Sequence, residues 1–590
     1  MPAKILELHF PLGGLNKAAS FQKQPPYTSP SLSNVRPSET FTGRDRGGSR
    51  PGISKSLAAQ LGGGNPVRSL SAVTWISSGV PVLQGMAVAN GVLSRETGGN
   101  WAAVGGALTL ASDILMAPAE HLQKLYYPDR STTALASGSD GVITGTNTFD
   151  SATYSDWSIL SIDTDDHILH LLNATTGATI GQYVISSIAA GTLGIAGSPA
   201  DATGLGFRIE RSPKVYTPST NTLARWAATT GHVPPSCKIV WRWRDRIMLA
   251  GDPYAPHLVY ASRAGDPLDF DYSQDDEIAA FSLQGADAGA IGDIITAGFA
   301  HSDNCSIVGC RNSLWIISGD PASGGRVSAI SETIGMVDQR SWCYTPSGWL
   351  FFLSLDGLYA MPPGCGNDRP LNVSRGTIPE LLLAVDNTTH TVLMAYDLRD
   401  QGIHLFVTPN SGGAAGTHYF ITTDSEGGSP RARFFPCEYP YTMEPLSLFS
   451  RRDSTNANSA VWLGCRDGYT RYHSDSQTTD DGTAISSSVY FGPLSLGGSG
   501  YHDGLLKELV AKLSTSSGTV AWSVHVGQTA QAAFEAAAFG ITGSWATAGL
   551  NATVRPRARG AAACIKLTST ARWAMESITA VIERMGVQRL

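Results

Sequence analysis

Along most of the chain, apolar runs of four to six residues alternate with polar doublets suited to tight turns. In GVPVLQGMAVANGVLSRE the runs flank Asn90-Gly91, and in DDHILHLLNATTGATIGQYVI they flank Thr175-Thr176-Gly177. The form returns in SIVGCRNSLWIISGD, GWLFFLSLDGLYAMPP, TVLMAYDLRDQGIHLFVTP and SAVWLGCRDGYTRYHSD, with Arg311-Asn312, Asp356-Gly357 and Asp467-Gly468 at three of the turns. Asn-Gly and Asp-Gly accept the positive φ that a hairpin turn requires, so the pattern predicts a succession of β-hairpins.

The spacing of the hairpins predicts how they assemble. Trp315 to Leu358 is 43 residues, Leu358 to His404 is 46, and His404 to Tyr469 is 65, with the glycine-rich NSGGAAGTHYF between the last two. A period in the forties with two hairpins per unit is what a four-stranded propeller blade needs, and a closed ring of blades leaves no long sheet edge exposed. Residues 66–485 therefore read as a β-propeller of five to seven blades. Residues 115–235 fit the period poorly, are rich in Ser and Thr, and read as an insertion projecting from the ring. Residues 486–590 change character: Trp522, Val524 and Val526 alternate with period two, which predicts a small β-sandwich. Within that region AQAAFEAAAFG reads as helix, and GLLKELVAKLS fits helix or strand. The fold class is all-β.

Residues 1–65 are different again. Up to Lys55 they hold eight basic residues (Lys4, Lys17, Lys23, Arg36, Arg44, Arg46, Arg50, Lys55) against three acids, and FPLGGLN, QKQPPYTSPS and GRDRGGSRPG break any periodicity. Such a segment buries no core of its own. It reads either as a solvated tail or as an extended arm that docks in an assembly.

Composition narrows the picture. The 590 residues include 64 Gly and 32 Pro but only 15% charged residues, which suits many short strands and argues against disorder. A net charge of −7 excludes a whole-surface grip on nucleic acid, while leaving a duplex free to slide past. Eight scattered cysteines predict buried reduced thiols, not a disulfide scaffold, and Cys305 with Cys310 lacks the further ligands of a zinc site. The N-terminus lacks the apolar stretch of a signal peptide, and WAAVGGALTLASDILMAPA is broken by Asp113. The expectation is a protein made and assembled in a cytoplasm.

Candidate chemistry is sparse. Gly-Asp-Pro occurs at 251–253, 265–267 and 319–321, without a following Lys-Ser/Thr, and reads as strand punctuation. GDPLDFDYSQDDE concentrates Asp269, Asp271, Asp275 and Asp276, but Gln274 and Ala280 stand where a calcium loop of the EF-hand kind needs Gly and Glu. It reads as an acidic loop that is solvated or faces a basic partner. Arg44, Arg46 and Arg50, and then Arg555, Arg557 and Arg559, form two basic clusters, read as contacts to a neighbouring subunit or to DNA phosphates, or as ordinary charged strand faces. Alternation would put the second three on one face. No hydrolase or protease motif is present, so no catalytic residue, metal or cofactor is assigned.

Three phrases carry a family resemblance. FPLGGLN, the Arg44–Gly52 phrase and WRDRIMLAGDPYAPHLVYASRAGDPLDF resemble bacteriophage tail nozzle proteins (tail tubular protein B), which overlap with packaged-DNA stabilisation proteins. LWIISGDP, continuing through SLDGLYAM, and the closing RPRARG are similar to the same family. The resemblance implies a propeller subunit of a ring, usually a homohexamer, at the distal end of a short phage tail. Its implied partners are its own copies, an adaptor protein, tail fibres or spikes, double-stranded DNA in the lumen and the host surface at infection. The implied location is the virion tail. The alternative is a soluble propeller acting as a binding module or on carbohydrate.

Overall fold

Each predicted hairpin forms, and the turn chemistry does what it should: Asn90 and Gly91 take φ of 50° and 77° between Val80–Ala89 and Val92–Thr97. The structure is a computed structural model describing residues 3–130, 134–145, 147–234, 236–284, 288–366, 368–379, 385–426, 429–452, 459–498, 502–538 and 541–587.

Seven four-stranded antiparallel sheets follow one another along the described chain. Their first strands are Val67–Ser77, Ala119–His121, Ile239–Trp243, Ile295–Ser302, Trp342–Tyr344, His390–Asp397 and Pro445–Arg451. Successive sheets pack side by side, and Pro445–Arg451 of the seventh returns against Val67–Ser77 of the first. Between the fourth and fifth, Phe299 stacks on Trp342 with ring centroids 3.9 Å apart. The ring is therefore a seven-bladed β-propeller. Most predicted hairpins supply second and third strands of a blade, but His390–Asp397 with Gly402–Pro409 supplies the first and second of blade six. That shift is why the spacing ran to 65 residues afterwards.

The N-terminal segment is not a free arm. Gly52–Lys55 pairs with Thr470–Ser474 and becomes the outer strand of blade seven, so the two ends of the propeller close the ring with one sheet. Further upstream, Lys4–Leu8 pairs with Met575–Val587 and Leu32–Ser33 pairs with Ser487–Ser495. The segment lies extended as predicted, but on its own chain, with Val35 and Ile53 fully buried.

Residues 115–235 divide unevenly. Blade two takes Ala119–His121, Lys124–Tyr127, Lys214–Thr217 and Thr222–Arg225, and between its second and third strands sits a closed six-stranded barrel running from Ala136 to Arg211. Phe149, Trp157, Leu169 and Phe207 fill the barrel. Its root is a buried charge cluster: Lys214 Nζ lies 2.5 Å from Asp129 and 3.1 Å from Asp166, and Arg211 reaches the same two carboxylates at 3.1 and 3.2 Å. Three buried charges and the largely covered Arg211, paired across the junction, fix the angle at which the barrel leaves the blade.

The C-terminal region is a sandwich of two sheets. One orders Lys4–Leu8, Met575–Val587, His502–Leu513 and Ala558–Gly560; the other orders Leu32–Ser33, Ser487–Ser495, Ala562–Ser569, Val520–Gly527 and Thr542–Trp545. Leu506, Leu509, Ile565, Leu567 and Ile578 meet between them. GLLKELVAKLS lies, up to Leu513, in the strand His502–Leu513, and among the described residues of AQAAFEAAAFG Ala530–Glu535 is helix.

One cysteine expectation is overturned. Cys305 and Cys365 form a disulfide that ties blade four to the loop after Gly357–Met361 of blade five. The sequence reading failed because the partner of Cys305 is 60 residues away, not the nearby Cys310. The other six cysteines are buried free thiols. In denaturant without reductant, a thiol-reactive chromophore should count six thiols per chain, rising to eight after reduction; a count of eight at the outset would mean the bridge is not formed.

Candidate functional site

The Gly-Asp-Pro triplets have turn geometry. Gly251, Gly265 and Gly319 take φ of 78°, 77° and 71°. Each aspartate accepts the backbone N–H two residues on: Tyr254 to Asp252 at 2.9 Å, Leu268 to Asp266 at 2.9 Å and Ala322 to Asp320 at 3.1 Å. Asp320 also receives the buried Arg246 guanidinium at 3.1 Å, a link between blades three and four.

The first basic cluster separates on folding. Arg50 is buried and cannot contact a neighbour or DNA: its Nε donates to Asn34 at 2.8 Å, its terminal nitrogens reach both Asp480 oxygens at 2.9 and 2.5 Å, and it stacks 4.4 Å over Tyr439. Arg46 is consumed by Glu39, Glu576 and Ser514 of its own chain. Arg44 stays exposed. In the second cluster Arg555 reaches Glu508 at 3.3 Å and Arg559 reaches Asp503 at 3.2 Å, each with its side chain more than half exposed. Arg557 is exposed too, but its φ of 49° breaks the alternation that would have aligned all three.

The acidic loop is satisfied largely from within. Asp269 is buried and accepts the Asp271 N–H at 2.9 Å. Hydrogen bonds from Ser273 hold the Asp271 carboxyl below its ordinary range, and Arg263, 2.8 Å away, does the same for Asp276. Asp275 is exposed. These carboxylates do not converge on a point. Among the described residues the one group close enough to share a cation is Asp397, Asp400 and His404, whose donor atoms lie within 4.8 Å. It is the turn of blade six's first hairpin, where Asp397 accepts the Arg399 N–H at 2.9 Å and faces His404 at 3.5 Å.

Sequence reasoning missed a cleft of about 940 Å³ between the inserted barrel and blade three. The barrel strand Ala202–Arg211 brings Phe207 and Arg208 to one wall, while Arg246–Asp252, the turn after it and Ala255–Ala261 bring Asp252, Tyr254 and Tyr260 to the other. The acidic loop contributes Asp271 and Tyr272, so the first Gly-Asp-Pro and that loop meet here. Tyr260 and Tyr272 stack with centroids 6.4 Å apart. The Arg208 guanidinium lies 3.9 Å over the Tyr254 ring and 3.9 Å from both Asp252 and Glu210. Burial pushes the Asp252 and Glu210 carboxyls up against the opposing pull of Arg208, and burial likewise raises the Tyr260 and Tyr272 hydroxyls. Behind the wall, burial together with Arg208 and His232 drives the His170 imidazole down to about 3. The paired Asp252–Tyr254 spacing in GDPY was the one local signal, and it reads first as a turn.

No family model matches the sequence, and no curated protein matches it. Among solved structures it is similar to the extracellular domains assigned to two hybrid two-component systems of B. thetaiotaomicron, BT3049 and BT4673, at 7% and 10% identity with TM-scores of 0.37 and 0.35. The alignments cover 80% and 79% of this chain but 46% and 44% of those chains, so it spans less than half their length.

Proposed function

We propose that the chain is a structural subunit of a short-tailed phage nozzle, and that copies of it form a ring around the passage through which DNA leaves the particle. The reading rests on the sequence resemblance and on one structural observation: a propeller closed by its own N-terminal strand, rooted in a sandwich that both chain ends build. Such a body transmits load without coming apart, because pulling on either terminus must shear paired strands before it opens a blade. In this reading the bore lies between copies, and a net charge of −7 keeps the surface from gripping the duplex. Arg44, Arg555, Arg557 and Arg559, exposed on or beside the sandwich, remain for contact with acidic groups of a neighbour; Arg46 and Arg50 do not. Loops that close the bore would be moved between two arrangements by contact with the host surface.

Negative-stain microscopy of the purified protein, alone and mixed with a phage tail adaptor protein, tests this. Rings with a central hole are expected, and charge reversal at Arg555 and Arg559 should reduce them while leaving the monomer folded. A protein that sediments as a monomer with and without adaptor would end the reading.

A further inference from the structure

We propose that the cleft between the inserted barrel and blade three binds a saccharide, its ring C–H faces lying on Tyr254 and Tyr272 and its hydroxyls bonding to Asp252, Gln284 and His232. Three observations point to this ligand class. The recess of about 940 Å³ is the size of an oligosaccharide site of a few rings. Tyr254 is 53% exposed although the Arg208 guanidinium lies over its ring, and Tyr272 is 40% exposed although it stacks on Tyr260, so both rings keep apolar surface open to the recess. Burial raises the Tyr272 hydroxyl well above its usual value, so at the cleft wall it stays a neutral hydrogen-bonding group.

The polar lining excludes the main competitor. A nucleotide or other strong anion needs unspent positive charge, yet Arg208, the one guanidinium in the wall, already faces two carboxylates and covers Tyr254. What remains is hydroxyls, an amide, an imidazole and the Asp252 and Asp271 carboxylates around flat aromatic faces, which matches the alternation of C–H and O–H on a pyranose. The buried Lys214–Asp129–Asp166–Arg211 cluster holds the barrel wall in place, so the cleft is preformed.

The inference does not rest on the nozzle reading: a monomer that binds sugar would keep the first and sink the second. The test is to apply the full chain to an array of defined neutral and acidic oligosaccharides, then titrate the best-retained one by calorimetry. Retention of a neutral or weakly acidic oligosaccharide is expected, with Tyr254→Ala and Tyr272→Ala each weakening it at least tenfold while circular dichroism and the melting temperature hold. Gln284→Ala should weaken it less. No retention above background, equal binding by both tyrosine variants, or retention confined to polysulfated chains and abolished by salt would each overturn the proposal.

Discussion

Replacing Arg50 by methionine lowers the free energy of unfolding by about 3–5 kcal/mol, a large part of what a domain of ordinary stability possesses. The size follows from what is left behind. Asp480 is 2% exposed and loses both of its charge-assisted hydrogen bonds, so its carboxylate stays buried without a counter-charge. The damage is also placed where the fold is most vulnerable. Arg50 joins the N-terminal segment through Asn34, the end of blade six through the Glu438 carbonyl, and the link into the sandwich through Asp480. Two residues later begins the strand that closes the propeller. Limited proteolysis should therefore cut the variant first between residues 56 and 66, before any blade opens. In Arg50→Met/Asp480→Asn no unpaired charge remains, and about half of the loss should return; urea titration of the single and double variants measures both. A single variant as stable as the parent would show that the pair contributes nothing.

The same residue shows what could be read in advance and what could not. Arg50 was visible as one of three basic residues in GRDRGGSRPG, but its partner lies 430 positions away, and no local pattern distinguishes a clamp from a contact surface. Blade hairpins were legible because each is encoded within about twenty residues by two apolar runs and a turn. The closing strand Gly52–Lys55 was not, since four residues pair with a strand more than four hundred positions on. GLLKELVAKLS fitted helix as well as strand for a physical reason. The pairing of His502–Leu513 shifts between Leu506 and Glu508, and this bulge at Lys507 moves the buried positions from Leu506 to Leu509, Ala511 and Leu513. A strand with a slipped phase mimics a period near 3.6 over one turn. The insertion was recognised by its failure to fit the blade period, yet its barrel was hidden by glycine and hydroxyl side chains in Ala136–Thr144 that leave few apolar residues to count. The tyrosine cleft was least legible, because its walls come from the barrel and from blade three and meet only after both have folded.

Acid should destabilise the protein from about pH 6.5 downward, and His170 should account for much of it. Its side chain is wholly buried in the barrel strand His167–Leu172, neither ring nitrogen has a partner, and its pKa sits near 3. In the unfolded chain the same imidazole titrates near 6.5. The folded pKa is the lower one, so on acidification the unfolded state takes up the proton first. Stability is complete above pH 6.5 and is lost progressively until the folded pKa is reached. At about 1.4 kcal/mol per pH unit, this one group removes about 2–3 kcal/mol by pH 4.5 and about 4–5 kcal/mol by pH 3. Burial also lowers His418 and His473 in the propeller, with the same sign, so the slope does not belong to the barrel alone. His170→Leu keeps the volume and removes the proton site, and a urea-midpoint series from pH 8 to 4 should be visibly flatter for it than for the parent. Hydrogen exchange at pH 5 should show the barrel opening before the blades, because Arg208 and His232 repel the new charge there and nothing nearby accepts its proton. Superimposable pH profiles for the variant and the parent would show that this buried imidazole does not govern acid stability.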